Sequence, residues 1–299
     1  MDNYAVACYE ERLMNRGIVV KIISFEYYVM DDTSRQVIPC RSRGGLRRGG
    51  DIYVGDKVNY TYTKGKYGVI DKVLPRHNCL VRPYVANIDL AVIVIATYPE
   101  PDYHLVDKIL INCSKNDITP LICINKCDLG DTTEIEKQYD YFDIVKVSAL
   151  TGEGIEGLKA RLDGKISCFA GQSAVGKTSI INTILSTSYE TGELSKIGRG
   201  RHTTRHVEIY SLGSNSYCAD TCGFSLLEVD GIEHDKLHLY YDDFREYESG
   251  CYFRDCSHTH EETCGIKDAV GRGLIPRPRY DRYVELYTEM LKKYKERYQ

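Results

Sequence analysis

The sequence lacks the features of a membrane or secreted protein. Its longest uninterrupted apolar run is the seven-residue stretch Leu90–Ala96, whereas a membrane-spanning helix needs roughly 18 such residues. Residues 1–16 contain two arginines and three acidic residues but no apolar core, so we expect no secretory signal there. No internal repeat or low-complexity segment is visible. We therefore expect a globular protein that works in the cytoplasm without a membrane partner.

A strong excess of one charge is also lacking, because the net charge of the 299 residues is only −4. The composition is that of ordinary globular proteins, with 42% hydrophobic and 27% charged residues. The charge is nevertheless uneven. Residues 1–84 carry 14 lysines and arginines against 9 acidic residues, whereas the remaining 215 residues carry 25 against 34. A basic first segment favours contact with polyanions, although a solvated basic face would have the same composition.

Cysteine is dispersed rather than arranged as a disulfide framework. There are twelve cysteines in a long chain for which we expect no secretory signal, so reduced thiols are expected. Nine stand apart and are predicted to be small buried side chains.

The other three cysteines, Cys251, Cys256 and Cys264, lie within 14 residues together with His258. Three thiolates and one imidazole suit a closed tetrahedral structural Zn²⁺ site, one per chain. His260 is an alternative ligand to His258. The alternative to a metal site is that the four side chains are simply buried and bind no metal.

Residues 17–75 have the pattern of short strands separated by turns. Expected strands are at 18–25, 27–30, 54–62 and 67–74. About five short strands in this length predict a small closed barrel of the OB type. Residues 41–50 contain four arginines and four glycines. They are interpreted as a phosphate-contacting arm, with a mobile solvated loop as the alternative.

After residue 84 strands and helices alternate, which predicts an α/β unit with a parallel sheet. The run Leu90–Ala96 is typical of a parallel strand covered on both faces. Further strands are expected at 120–125, 143–147, 165–170, 206–212 and 216–220, and helices near 104–114, 132–139, 154–162 and 176–185. Beyond residue 230 this pattern ends and the chain becomes helical.

One complete phosphate-binding motif, GxxxxGK[ST], lies between an apolar strand and a helix. Its residues are Gly171, Gln172, Ser173, Ala174, Val175, Gly176, Lys177 and Thr178. Ser179 is the next residue of the predicted site. Glycines let backbone N–H groups turn towards phosphate oxygens. Lys177 would reach the β- and γ-phosphates, and Thr178 would hold Mg²⁺. A glycine-rich structural turn is the alternative.

Two further motifs predict that the base is guanine. Asn125, Lys126, Cys127 and Asp128 form NKxD at the end of a strand. The Asp128 carboxylate would accept hydrogen bonds from the guanine N1–H and amino group, which adenine cannot supply. At the next strand end, Ser148 and Ala149 place a backbone N–H where it can bind the guanine carbonyl.

Downstream, Asp220 and Gly223 form a DxxG motif, whose acid would bind Mg²⁺ through water and whose glycine would contact the γ-phosphate.

The order of these motifs indicates a circular permutation, because the base-reading motifs precede the phosphate loop. With a barrel before it and a Cys/His cluster after it, this order closely resembles the ribosome small subunit-dependent GTPase A family. The resemblance covers nearly the whole chain. It includes RPYVANID at 82–89, GRHTT at 200–204 and DTCGF at 220–224, where Cys222 replaces the family's proline. The family pattern also matches the four metal-site positions, and it implies a bacterial RNA-binding factor of late small-subunit maturation.

The catalytic group is less evident from the sequence. Phe224 occupies the position where Ras-like enzymes carry a water-orienting glutamine. His202 is the nearest candidate to position or deprotonate the attacking water, although it could instead contact RNA. Thr203 and Thr204 are both candidates for the Mg²⁺ and γ-phosphate contact.

The predicted fold is a circularly permuted P-loop GTPase domain (85–230) between an OB-type barrel (1–84) and a zinc-binding helical domain (231–299). The predicted function is that of a monomer that binds the small ribosomal subunit and its rRNA and hydrolyses GTP to GDP and phosphate, which times a late step of small-subunit maturation. A nucleotide-gated rRNA-binding scaffold with incidental hydrolysis is the alternative. An ATP-dependent P-loop kinase is disfavoured by NKxD.

Overall fold

The computed structural model describes residues 14–44, 52–63, 67–81, 84–188, 209–213, 216–219, 229 and 231–297. The chain forms two compact units. The first comprises Met1–Asp89, Gly164–Cys168 and Ser195–Cys222, and the second comprises Leu90–Asp163, Phe169–Leu194 and Gly223–Gln299. Within the described ranges, no helix is both long and apolar enough to cross a membrane.

The first unit contains a closed five-stranded barrel. Its strands are β1 (Asn15–Ile23), β2 (Glu26–Asp31), β3 (Val37–Ser42), β4 (Lys57–Tyr62) and β5 (Gly68–Val73). They close in the order β1-β2-β3-β5-β4, with β1 antiparallel to β4 and β3 parallel to β5. Alternate side chains fill the interior, where Val19, Val29 and Tyr60 are fully buried. The predicted barrel is confirmed.

One boundary in the barrel differs from the prediction. Arg41 and Ser42, expected at the start of an arginine- and glycine-rich loop, instead end β3, where they pair with Val69 and Ile70 of β5. Inter-strand pairing therefore orders the start of the predicted arm. Residues 45–50 of that arm lie outside the described residues. A short hairpin that the pattern did not predict follows the barrel, formed by β6 (Cys79–Val81) and β7 (Tyr84–Ala86).

The predicted α/β alternation is present. Its strands are β8 (Leu90–Ala96), β9 (Thr119–Asn125), β10 (Ile144–Lys146), β11 (Ile166–Ala170), β12 (Ile209–Gly213) and β13 (Ser216–Ala219). They form one sheet in the order β10-β9-β8-β11-β13-β12, in which β12 runs antiparallel to β13 at the edge. Every residue of β8 is buried, as its continuous apolar run predicted.

Four helices connect or follow these strands: α1 (Tyr103–Lys115), α2 (Thr133–Gln138), α3 (Ile155–Leu162) and α4 (Lys177–Ser188). Helix α1 begins at a genuine N-cap, because the Asp102 carboxylate accepts the Leu105 N–H at 2.9 Å. Parallel strands place their carboxyl ends at one edge of the sheet, so the loops that follow β8, β9, β10 and β11 gather there.

The C-terminal part of the second unit is helical. It contains 3-10 helices at His234–Tyr240, Asp242–Phe244 and Glu248–Gly250, followed by α5 (Gly265–Gly271) and the long α6 (Arg277–Arg297). Phe244, Ile266 and Tyr283 are fully buried in its core, and Ile111 of α1 belongs to the same cluster. Helix α6 therefore packs with α1 in one continuous apolar core.

Candidate nucleotide site and metal centre

The phosphate loop joins β11 to α4, and two of its positions require glycine. Gly171 has φ +128°, and a Cβ on it would lie 2.3 Å from the Val94 carbonyl oxygen of β8. Gly176 has φ +97°, and a Cβ there would lie 2.3 Å from Asn125 Nδ2. Side chains cannot occupy this space, and L-residues rarely adopt these angles. The glycines of the motif therefore hold the loop against the ends of two strands.

Lys177 is the first residue of α4 and folds over its own loop. Its Nζ donates to the carbonyls of Gly171 and Gln172, each at 2.7 Å. The ammonium group therefore lies beside the concave backbone, at the N-terminus of a helix, where anions are favoured. Of the remaining motif residues, Val175 is buried, whereas Ser173, Ala174, Thr178 and Ser179 are exposed.

Gln172 anchors the loop to the segment before α1. Its Nε2 donates to the Glu100 carbonyl at 2.8 Å, and its Oε1 accepts the Asp102 N–H at 2.6 Å. Sequence reasoning included Gln172 only as a variable position of the motif. The structure gives it a specific role, because both ends of its amide are engaged by the chain that follows β8.

Asn125 connects the phosphate loop to the two base-reading segments. It is buried, its Nδ2 donates to the Val175 carbonyl at 2.8 Å, and its Oδ1 accepts the Ala149 N–H at 3.1 Å. The sequence predicted that an N–H in this turn reads the guanine carbonyl. In the structure the Ala149 N–H donates to Asn125, so this hydrogen bond stabilises the turn.

The other NKxD residues have different surroundings. Lys126 has φ +61°, and its Nζ donates to the carbonyls of Tyr98 and Ala174 at 2.8 and 2.9 Å. The Cys127 N–H donates to the Val147 carbonyl at 3.2 Å. Asp128 is exposed. Lys126 therefore holds the phosphate loop through the Ala174 carbonyl, and the exposed Asp128 carboxylate is accessible to a ligand.

Ser148 shapes the turn after β10 and is fully buried. Its N–H donates to the Glu153 carbonyl at 2.9 Å, and its Oγ accepts the Thr151 N–H at 3.1 Å. The Thr183 hydroxyl of α4 donates to the Ala149 carbonyl at 3.0 Å. These contacts bring three sequence-predicted segments to one edge of the sheet.

The remaining predicted site residues lie outside the described residues: His202, Thr203, Thr204, Asp220 and Gly223.

The four predicted metal-site residues converge in the C-terminal region. One ligand atom each from Cys251, Cys256, His258 and Cys264 lies within 4.8 Å of the others. His258 Nδ1 is 3.5 Å from Cys251 Sγ and 3.4 Å from Cys264 Sγ, and the two sulfurs are 4.0 Å apart. Zn–S and Zn–N bonds of ~2.3 and ~2.0 Å give tetrahedron edges of about 3.5 to 3.8 Å. The four residues therefore fit one metal ion.

Burial shifts the pKa values of two groups in this cluster, one thiol and the imidazole. It raises the pKa of the Cys256 thiol to about 12 and lowers the pKa of His258 to about 4. The imidazole is therefore neutral near pH 7, as a metal ligand must be, whereas metal binding would have to release thiol protons. His260 is not part of the cluster, because its ring is largely exposed and its Nδ1 lies 3.1 Å from Thr259 Oγ1.

Helix α6 holds the metal-site loop in place. The Tyr280 hydroxyl donates to the His258 carbonyl and the Tyr283 hydroxyl donates to the Ser257 carbonyl, both at 2.7 Å. Within the loop, the Glu261 carboxylate accepts the Ser257 N–H at 2.7 Å. The periodic tyrosines of α6 are visible in the sequence, but periodicity predicts only that they are packed. Their hydroxyl groups are additional supports of the site.

Comparisons with known proteins agree with this arrangement. The family model described as RsgA GTPase matches residues 73–230. The chain is 42% identical to the small ribosomal subunit biogenesis GTPase RsgA of Ruminiclostridium cellulolyticum, over 93% of this chain and 94% of that protein. It is 44% identical to the protein of the same name from Caldanaerobacter subterraneus, over 95% and 98% of the two chains.

Solved structures give the same result. The crystal structure of YjeQ from Thermotoga maritima has a TM-score of 0.83 and 39% identity, covering 93% of this chain and 99% of the other. YloQ, described as a circularly permuted GTPase, has a TM-score of 0.79 and 33% identity, covering 95% and 98%. The permuted fold predicted from motif order is thereby confirmed. On its motifs, its fold and its relatives, the chain belongs to the RsgA GTPase family.

Proposed function

We propose that this protein hydrolyses GTP during biogenesis of the small ribosomal subunit, the role for which its relatives are named. The observation that carries the nucleotide part is the pair of Asn125 bonds, to the Val175 carbonyl at 2.8 Å and from the Ala149 N–H at 3.1 Å. One buried amide thereby ties a phosphate-binding loop to a base-reading turn. This arrangement suits a purine nucleoside triphosphate that spans both segments.

Binding follows from the chemistry of each segment. The backbone N–H groups of 171–178 and the Lys177 ammonium hold the phosphates. The exposed Asp128 carboxylate selects guanine by accepting its N1–H and amino protons, whereas adenine would leave the acid unpaired. Lys126, held by the Tyr98 and Ala174 carbonyls, lies along the purine. The hydroxyl group of Thr178, which is followed by Ser179, would bind the metal ion that accompanies the phosphates.

Hydrolysis depends on the residues of the second half of the site. When bound with GTP, Mg²⁺ neutralises charge on the β- and γ-phosphates. Thr178 and Asp220 are its proposed protein partners, Gly223 contacts the γ-phosphate, and either Thr203 or Thr204 completes the contact. His202 is proposed to orient or deprotonate the attacking water, because Phe224 has no group that can do so.

Zinc is the proposed occupant of the Cys251, Cys256, His258 and Cys264 cluster, with one ion per chain. Three thiolates and one imidazole at tetrahedral spacing favour Zn²⁺. These four side chains would supply all the ligands of the ion and leave no position open to a substrate, so its role would be structural. These residues cross-link a region of short 3-10 helices, and the binding energy is largely folding energy for that region.

We further propose a three-part organisation with an RNA-binding barrel (1–84), the GTPase domain (85–230) and the zinc-binding domain (231–299). The barrel segment carries a net charge of +5 in a chain of net charge −4, which favours contact with rRNA phosphates. The protein is proposed to act as a cytoplasmic monomer that binds the small subunit in one nucleotide state and leaves it in the other.

The test is phosphate release from GTP with purified small subunits, large subunits or neither, at low and high salt. Unassisted hydrolysis should be slow, about 10⁻⁴ to 10⁻² s⁻¹, and only small subunits should accelerate it by orders of magnitude. High salt should abolish the stimulation before it weakens nucleotide binding, because several phosphate contacts are lost together. Equal rates under all three conditions at low salt would contradict the proposal. Stimulation that survives His202→Ala would contradict only the role of the histidine.

A further inference from the structure

His258 has a second ring nitrogen whose role the metal site does not explain. Its Nδ1 faces the sulfurs of Cys251 and Cys264. Its Nε2 is buried and, within the described residues, has no hydrogen-bond partner. When Nδ1 binds a metal, the neutral imidazole must carry its proton on Nε2. A buried N–H without an acceptor costs about 1 to 3 kcal/mol, so a partner for this proton would stabilise the site.

The rings around His258 leave one good acceptor. Phe244 and Tyr283 lie with their centroids 6.4 Å from that of His258. Phe244 has no polar side-chain atom, and the Tyr283 hydroxyl is bonded to the Ser257 carbonyl. The His238 ring is closer, with its centroid at 4.9 Å and its plane inclined by 69°.

His238 is itself held by a carboxylate. Its Nδ1 lies 2.8 Å from Glu248 Oε1, and both side chains are partly buried. A carboxylate only accepts hydrogen bonds, so Nδ1 of His238 carries a proton and, in the neutral ring, Nε2 is left as an acceptor. One nitrogen of His238, one of His258 and one oxygen of Glu248 lie within 4.8 Å of one another.

We propose that, when the metal is bound, His238, oriented by Glu248, approaches His258 and accepts its Nε2–H, and so acts as a positioning residue that presents Nδ1 to the metal ion. The inference rests on the proposed zinc site. Metal-binding histidines generally donate their second N–H to such a partner, which fixes the tautomer and the ring orientation. Here the 3-10 helix His234–Tyr240 supplies the acceptor and the 3-10 helix Glu248–Gly250 supplies the carboxylate. The zinc ion would thereby be coupled to two segments that contribute no ligand.

The experiment measures zinc content and the rate of zinc release from the full-length protein into excess chromogenic chelator. His238→Phe keeps an aromatic ring but removes the acceptor, and it should release zinc roughly 10-fold to 100-fold faster. His238→Gln offers an oxygen acceptor and should recover part of the difference. Glu248→Gln, which still accepts the His238 N–H, should lie close to wild type. The matched control is His234→Phe, because His234 lies on the same 3-10 helix but packs against Tyr287 and Tyr294.

A second readout separates positioning from general loosening. In the ¹⁵N-edited spectrum of the zinc-loaded protein, the Nε2 proton of His258 should be protected in the wild type. It should exchange quickly with water in His238→Phe and stay protected in His234→Phe. Release rates and proton exchange that are the same in His238→Phe and His234→Phe would overturn the inference while leaving one zinc per chain. Two metal ions per wild-type chain, with one lost in His238→Phe, would make His238 a ligand and also overturn it. Wild-type protein without zinc would instead refute the proposed metal site.

Discussion

Replacing Arg279 with leucine should loosen helix α6 more than any exposed substitution on the same helix. Arg279 is fully buried. Its Nε and Nη2 donate to the two carboxylate oxygens of Asp243 at 2.6 and 2.9 Å, and its Nη1 donates to Asp107 of α1 at 2.7 Å. Burial would lower the pKa of Arg279, but Asp243 and Asp107 raise it well above its ordinary value. The guanidinium therefore stays charged and joins α6 to α1 and to the 3-10 helix Asp242–Phe244.

The magnitude follows from the charges that remain. Asp107 keeps a second cation, because Arg282 Nε donates to its other oxygen at 2.6 Å. Asp243, which is 5% exposed, would lose both charge-assisted bonds and be left as a buried anion. Removing one partner of a buried pair costs about 3 to 5 kcal/mol. At about 1.36 kcal/mol per factor of ten, this cost corresponds to about two to four orders of magnitude in the opening equilibrium of α6.

Hydrogen exchange of the α6 amides, read by mass spectrometry, measures that equilibrium directly. The matched control is Arg277→Leu on the same helix, because the Arg277–Asp281 pair is exposed at 73% and 46%. Such a pair contributes about 0.3 to 0.5 kcal/mol, or about a twofold change. Adding Asp243→Asn to Arg279→Leu should recover part of the loss by removing the unpaired charge. Exchange rates in Arg279→Leu within twofold of those in Arg277→Leu would refute the reasoning.

Three further outcomes test the nucleotide site. Asp128→Asn should weaken GTP and favour xanthosine triphosphate, because xanthine has a carbonyl where guanine has its amino group; unchanged GTP affinity by fluorescent-nucleotide titration would remove Asp128 from the base pocket. Lys177→Ala should abolish tight triphosphate binding in the same titration, and a wild-type dissociation constant would contradict the phosphate-loop assignment. Gly176→Ala should weaken guanine nucleotides at least 10-fold, about 1.4 kcal/mol, because its Cβ would lie 2.3 Å from Asn125 Nδ2; normal affinity would mean that the loop can move away from Asn125.

Local patterns in the sequence were enough to identify the chemistry of the phosphate loop and the class of fold. The phosphate motif at 171–178 is contiguous, and its glycines are required by the backbone angles and close contacts of one short loop, so a pattern can identify it. The apolar run Leu90–Ala96 forms a fully buried strand, because seven consecutive apolar residues provide no polar face that could be exposed to solvent. The order of the motifs indicated the permutation. The spacing of Cys251, Cys256 and Cys264, with two histidines between them, was sufficient to indicate a metal cluster.

Contacts between residues that are distant in the sequence became visible only in the folded chain. Arg279 and Asp107 are 172 residues apart and Asn125 and Val175 are 50 apart, and no local pattern encodes either pairing. The sequence left His258 and His260 as alternatives because both lie within reach of the cysteines. Packing distinguishes the two histidines, because it buries His258 against His238, Phe244 and Tyr283 and leaves His260 exposed. A side chain's partners depend on how helices and strands pack, whereas periodicity and spacing specify only the elements themselves.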